Sequence, residues 1–306
     1  MSGAYVRTIS AMGTVVTIQV IGHDANDVER TEREKGVARA LEWFTHITAQ
    51  CSRFDPTSEL SRLTTQVGVA VPVSTLLFAS LKFALAVAAD TNGAFDPTVG
   101  RRLEERGFDT NYQTGIRRRS TVDPLRRVSW RDIVLDEVAQ TVTLTQAMVL
   151  DLGAVVKGLA IDAAALELAS FRNFAIDAGG DVYVAGSNAS GDPWRVGIRH
   201  PRRPDELTDS LSVSDVAVCT SGDYFRRGAP DTNEHHILDA TTGDTALRCA
   251  SATVIAPTAI VADALATAAF ILGPTDGIAL LERHGVEGLI VTPSLEHYQT
   301  GVMVGK

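Results

Sequence analysis

Residues 4–21 alternate apolar and polar positions around Met12-Gly13-Thr14, a period of two that predicts a β-hairpin or two short strands. Over 26–50 the period lengthens: Val28, Val37, Leu41, Phe44 and Ile47 fall on one face of a helix whose opposite face is charged. A second helix is predicted over 74–91, capped by Ser74 and stopped near Asn92-Gly93. Gly93–Gly100 reads as an irregular loop fixed by Gly, Pro and Asp, 107–127 as an exposed connection, and 129–150 as strands turning near Asp136-Glu137. Asp151-Leu152-Gly153-Ala154 leads into a helix over about 155–170. Two strands follow through 174–185 around a Gly179-Gly180 turn, with more near 194–199, 209–213 and 216–220. Helices are predicted over about 259–271 and 275–284, broken at Gly273-Pro274, and strands at 288–292 and 297–304 close the chain. Strands and helices do not alternate strictly, which predicts an α+β fold rather than a doubly wound sheet. With no internal repeat and no clear linker, one two-lobed domain over 1–306 is expected.

Composition narrows the partners. The 306 residues carry 28 Lys+Arg against 37 Asp+Glu, a net charge of −9, which argues against nucleic acid as the main partner. Cys51, Cys219 and Cys249 are odd in number and far apart; they form no disulfide framework and no zinc spacing, and read as small buried thiols. Apolar stretches such as 259–272 fall short of the roughly 18–20 residues a membrane span needs. The N-terminal residues show no charged segment leading into an apolar run. A cytoplasmic protein without a membrane span is therefore expected.

Four groups of residues carry candidate chemistry. The stretch 259–272 is apolar except for Asp263 and Thr267. A helix apolar all round is buried, and an unpaired carboxylate inside it costs several kcal/mol, so Asp263 needs a partner. Asp263 and Thr267 are four residues apart, on one face, and two such oxygens suit a hard cation such as Mg²⁺. The structural alternative pairs Asp263 with a Lys or Arg and turns Thr267 onto its own helix backbone. Asp151-Leu-Gly-Ala-Val-Val-Lys157-Gly158 places an acid, a turn and a lysine at a helix N-terminus, where free amides form an anion site. Thr220-Ser221-Gly222-Asp223 and His235-His236-Ile237-Leu238-Asp239 invite a hydrolase reading, but Ser221 is not in a nucleophile elbow. Neighbouring histidines on a strand point to opposite faces, so at most one of them enters a site. Ala94-Phe95-Asp96 puts an aromatic beside an acid, a pair suited to a flat heterocycle or simply to ordering a loop.

The order of these motifs is more informative than any one of them. Met12-Gly-Thr, Ser58-Glu-Leu-Ser-Arg-Leu, Gly93-Ala-Phe-Asp-Pro-Thr-Val-Gly, Asp151-Leu-Gly-Ala-Val-Val-Lys-Gly, Asp177-Ala-Gly-Gly-Asp, Thr220-Ser-Gly-Asp-Tyr, His236-Ile-Leu-Asp-Ala-Thr-Thr-Gly and Ala262-Asp-Ala-Leu-Ala-Thr-Ala follow one another along the chain. Together they resemble the FAD:protein FMN transferase family, also called ApbE-like. The resemblance implies an α+β fold like the T-fold class, with FAD as substrate and Mg²⁺ as cofactor. It implies transfer of FMN to a Thr or Ser hydroxyl of a partner flavoprotein, with release of AMP. It places metal ligands on the Ala154 carbonyl, Asp263 and Thr267, and FAD contacts on Met12, Phe54, Ala94, Phe95, Asp96, Asp151, Lys157 and Ile237. Two positions depart from the family pattern: Phe54 stands where Tyr is usual and Ala240 where Pro is usual. His236, then Asp239, are the candidate general bases. A Mg²⁺-dependent FAD pyrophosphatase and a non-catalytic FAD-binding protein are the alternatives.

Overall fold

The computed structural model describes residues 3–22, 27–111, 114–123, 127–225 and 234–301. The chain opens with strands β1 (Gly3–Ala11) and β2 (Thr14–Gly22), paired without a slip from Gly3↔Gly22 to Ala11↔Thr14. Met12 and Gly13 both have positive φ (51° and 73°), the twist a two-residue hairpin turn demands. Helices α1 (Asp27–Cys51) and α2 (Glu59–Leu63), strand β3 (Ala70–Pro72) and helix α3 (Thr75–Asp90) follow. The Ser74 hydroxyl caps α3 by accepting the Leu77 N–H, as expected. A 3₁₀ turn at Pro97–Val99 runs into α4 (Gly100–Glu105), so the predicted loop is helical at its end. Then come β4 (Ile133–Asp136), β5 (Thr141–Leu144), α5 (Gly153–Glu167), β6 (Phe174–Ala178), β7 (Asp181–Ala185), β8 (Trp194–Arg199), β9 (Leu207–Val213), β10 (Val216–Gly222) and β11 (Ser251–Ala256). Helices α6 (Ala259–Leu272) and α7 (Pro274–Arg283) and strands β12 (Glu287–Val291) and β13 (His297–Gln299) complete the order. The predicted last strand therefore ends at Gln299; residues 302–306 lie outside the described ones.

The main sheet has eight strands in the order β1-β2-β6-β7-β10-β11-β12-β13, with every neighbouring pair antiparallel. This is the α+β architecture the irregular alternation predicts. Helix α5 packs against both α1 and α6 over one face, in a core that includes Val37, Phe44, Ile161, Leu265 and Phe270. The β8–β9 hairpin covers the other face, where Trp194, Val196 and Leu211 meet Val184, Val218, Ile255 and Leu289. Strand β11 was not expected from the sequence. All six of its residues are buried, because helices cover one face and the hairpin the other. A strand buried on both sides carries no alternation to read. Among the described residues no helix is long and apolar enough to cross a membrane.

Candidate functional site

At one end of the main sheet the Met12-Gly13 tip, the Gly179-Gly180 turn, the N-terminus of α5 and the middle of α6 border one cleft of about 400 Å³. Its floor is polar and its walls are apolar. Position along the chain explains little of this gathering; two close contacts explain more. At Gly158 a Cβ would stand 2.4 Å from the Ala259 carbonyl oxygen, so only glycine lets α5 and α6 approach this closely. Both Asp162 carboxylate oxygens accept amides of the first turn of α6, Ala259 N–H at 2.7 Å and Ile260 N–H at 2.9 Å. That carboxylate caps α6 from the neighbouring helix and meets its positive end. Burial raises the Asp162 pKa, against the two amides that lower it.

The floor follows from this helix pair. Asp263 is 4% exposed and Oδ2 accepts the Gly158 N–H at 3.1 Å, while Oδ1 faces Lys157 Nζ at 3.5 Å. The structural alternative of a lysine partner is thus met. In a continuous helix the Gly158 N–H belongs to the turn of the Ala154 carbonyl, so the carboxylate lies beside that carbonyl's turn. Thr267, one turn further along α6, shares a hydrogen bond of 2.9 Å with Ser221 Oγ. Lys157 makes its closest contact with Asp181, whose side chain is 3% exposed and whose Oδ1 accepts the Thr220 N–H at 2.9 Å. Two buried carboxylates therefore share one ammonium. Among the described residues no three His, Cys, Asp or Glu side chains gather as a cluster. The donor set is instead one carboxylate, the hydroxyls of Thr267 and Ser221, and a helix carbonyl. All are hard oxygens, few in number, and they fit Mg²⁺, which keeps most of its shell for water and phosphate.

The walls combine turns with Ile47 and Cys51 of α1 and Leu103 of α4. Phe54, Phe95, Ile237 and Met12 line them. Asp96 lines the cleft as well, but its oxygens already accept backbone amides, Thr98 at 2.8 Å and Trp130 at 2.9 Å. Burial raises its pKa despite those amides. Asp151 Oδ1 accepts the Gly153 N–H at 2.8 Å and Oδ2 holds Arg53, so the first amide of α5 is already matched by a carboxylate. Arg53 also donates to the Phe108 carbonyl at 2.6 Å and stacks over the Phe54 ring at 4.1 Å. The sequence analysis assigns Arg53 no role and Asp181 only a place in the Asp177-Ala-Gly-Gly-Asp motif; their charge partners, Asp151 and Lys157, are far from them in sequence.

The two histidines do diverge. His235 is buried in the core, with Nε2 against the Ala246 carbonyl at 2.9 Å. His236 lines the cleft with its ring edge-on to Phe108. Two expected residues are not among those lining it. Ala94 is buried, and its carbonyl accepts the Ala240 N–H at 3.1 Å. Asp239, the second candidate base, uses Oδ1 to order its own turn, taking the Thr241 N–H at 2.9 Å and the Thr241 hydroxyl. An Asx turn of this kind points the carboxylate at its own backbone. Among the described residues the Ser-His-Asp reading does not assemble, since Ser221 pairs with Thr267 and Asp223 with Arg202.

The model of the ApbE family matches residues 12–290. The chain belongs to the ApbE family. This ApbE-family chain is 36% identical over 257 residues to an FAD:protein FMN transferase of Treponema pallidum, covering 77% of the chain and 71% of that protein. An enzyme of the same name from Haemophilus influenzae is 29% identical over 255 residues, covering 78% and 73%. Among solved structures, the ApbE protein of Thermotoga maritima superposes with a TM-score of 0.85 at 32% identity over 97% of each chain. The flavin transferase ApbE of Vibrio cholerae gives 0.81 at 26% identity over 98% of each. The resemblance read from the ordered motifs is borne out.

Proposed function

We propose that this chain is an FAD:protein FMN transferase whose cleft takes the diphosphate of FAD on its polar floor and the flavin against its apolar walls. The observation that carries this reading is the oxygen donor set of Asp263, Thr267 and the Ala154 turn beside Lys157, in a chain of this family. The acceptor is a flavoprotein presenting a Thr or Ser hydroxyl. Its oxygen attacks the FMN-side phosphorus in line, the bridging P–O bond breaks, and AMP leaves with the bridging oxygen. FMN remains on the acceptor as a phosphoester. Asp263, Thr267 and the Ala154 carbonyl are the residues to hold Mg²⁺, which when bound supplies charge neutralisation on the diphosphate. Lys157 adds a second positive charge at the phosphates. Phe54, Phe95, Met12 and Ile237 offer the flavin a flat apolar surface. His236 takes the hydroxyl proton, a role motivated by its place on the cleft wall.

Turnover of FAD with and without an acceptor tests the reaction class. A transferase releases AMP in step with acceptor consumption and stays nearly idle without it. Rapid release of both FMN and AMP in the absence of acceptor identifies a pyrophosphatase instead. FAD that stays bound and intact with Mg²⁺ and acceptor present identifies a carrier.

A further inference from the structure

Lys157 stands between two buried carboxylates that it does not treat alike. It is in closest contact with Asp181 and 3.5 Å from Asp263. Asp181 opens β7 just after the Gly179-Gly180 turn, where both glycines have positive φ (71° and 97°). A Cβ at Gly179 would fall 2.1 Å from Thr14 Oγ1, so the turn is seated against the neighbouring hairpin. The β7–β10 ladder ends at Val182↔Val218, and the Asp181 side chain takes the next exposed β10 amide, that of Thr220. The carboxylate is thus fixed by a turn and a strand end, while Lys157 reaches it on a flexible four-carbon stem. Asp181 is not among the residues lining the cleft.

We propose that Asp181 is a positioning residue that neutralises and holds the Lys157 ammonium, which leaves Asp263 Oδ1 available to a divalent cation. The proposal rests on the reading of the floor as a cation and diphosphate site. Without the charge of Asp181, the ammonium has one buried carboxylate left within reach, and that is the metal ligand. An ammonium held there both occupies an oxygen and repels a cation. Asp181 acts through Lys157 and makes no contact with substrate.

Mn²⁺ binding to the full chain, followed by the EPR signal of free Mn²⁺, tests this without recourse to activity. Asp181→Asn keeps an acceptor for the Thr220 amide and removes the charge. It is expected to weaken Mn²⁺ binding about tenfold or more, as loss of a residue supporting a metal ligand commonly does. Lys157→Met with Asp181→Asn removes both charges of the pair, leaves Asp263 to the Gly158 amide and the cation, and is expected to bind within about threefold of the wild-type chain. If D181N does not fold, the double variant still decides. A tenfold loss in the double variant, or wild-type affinity in D181N, overturns the role given to Asp181. A wild-type chain that takes up no Mn²⁺ overturns the cation site itself, and is a different result from a wild-type chain that binds while D181N binds equally well.

Discussion

The floor and the walls of the cleft are built by different means. The floor hangs on two helices locked together by Gly158, by the Asp162 cap and by the Gly158 amide on Asp263. The walls draw on turns as well as on α1 and α4: Met12 in a left-handed hairpin corner, Asp96 at a 3₁₀ turn, His236 and Ile237 beside the Leu238↔Thr245 bridge. The turn between the bridged residues is held by Arg102 of α4 on the Ala240 carbonyl and by Arg106, just past α4, on the Gly243 carbonyl, both at 2.6 Å. Helices fix oxygens to within fractions of an ångström, which charge neutralisation at a diphosphate requires. A flat ring stacking on aromatic surface tolerates more, and turns suffice for it.

If this division is right, the largest loss comes from the floor. Asp263→Ala is expected to lower the transfer rate by about 10³-fold, measured as flavin attached per unit time at saturating FAD, since it removes the anionic oxygen of the proposed cation site. On the wall, His236→Ala is expected to lower the rate about a hundredfold with little change in FAD affinity. Asp239→Ala serves as its control and leaves the rate within about twofold, because that carboxylate serves its own turn. An unchanged rate in His236→Ala removes the histidine from the chemistry.

Stability separates the two regions further. Gly158→Ala drives a methyl into the Ala259 backbone and is expected to cost about 2 kcal/mol in urea unfolding, because neither helix can give way without moving its cap. The pH dependence of stability tests the shared core. Burial pushes the Cys51 and Cys249 thiols up to about 12 and the Cys219 thiol well above its ordinary range. In the unfolded chain they ionise near pH 8.5. Above that value the unfolded state holds fewer protons than the folded one. Their contribution is full below about pH 8.5 and is lost as pH rises toward the folded values. Each thiol then lowers unfolding free energy by about 1.4 kcal/mol per pH unit. Urea midpoints measured across this range should fall, and Cys51→Ala should remove one thiol's share of the slope.

The sequence made the floor oxygens visible and hid what holds them. Asp263 and Thr267 stand out because they are the polar residues of an apolar helix four apart, a local pattern. Asp181 and Lys157 meet across a helix and a strand end, and no local spacing records that. Gly158 reads as an ordinary helix residue until α6 is seen against it. Strand β11 escaped because burial on both faces erases alternation, whereas the first hairpin was legible from its period and its Met12-Gly13 corner. Asp239 belonged to a motif with His236, yet the turn that makes the motif recognisable is what occupies its carboxylate.

The central claim is that the cleft moves the FMN half of FAD onto another protein. Mass spectrometry of an FMN-binding acceptor protein, after incubation with this chain, FAD and Mg²⁺, tests it most directly. The account predicts a covalent FMN phosphoester on a Thr or Ser of the acceptor, formed by the wild-type chain and absent with Asp263→Ala. An acceptor that stays unmodified while FAD is split to FMN and AMP, or equal labelling by Asp263→Ala, would contradict it.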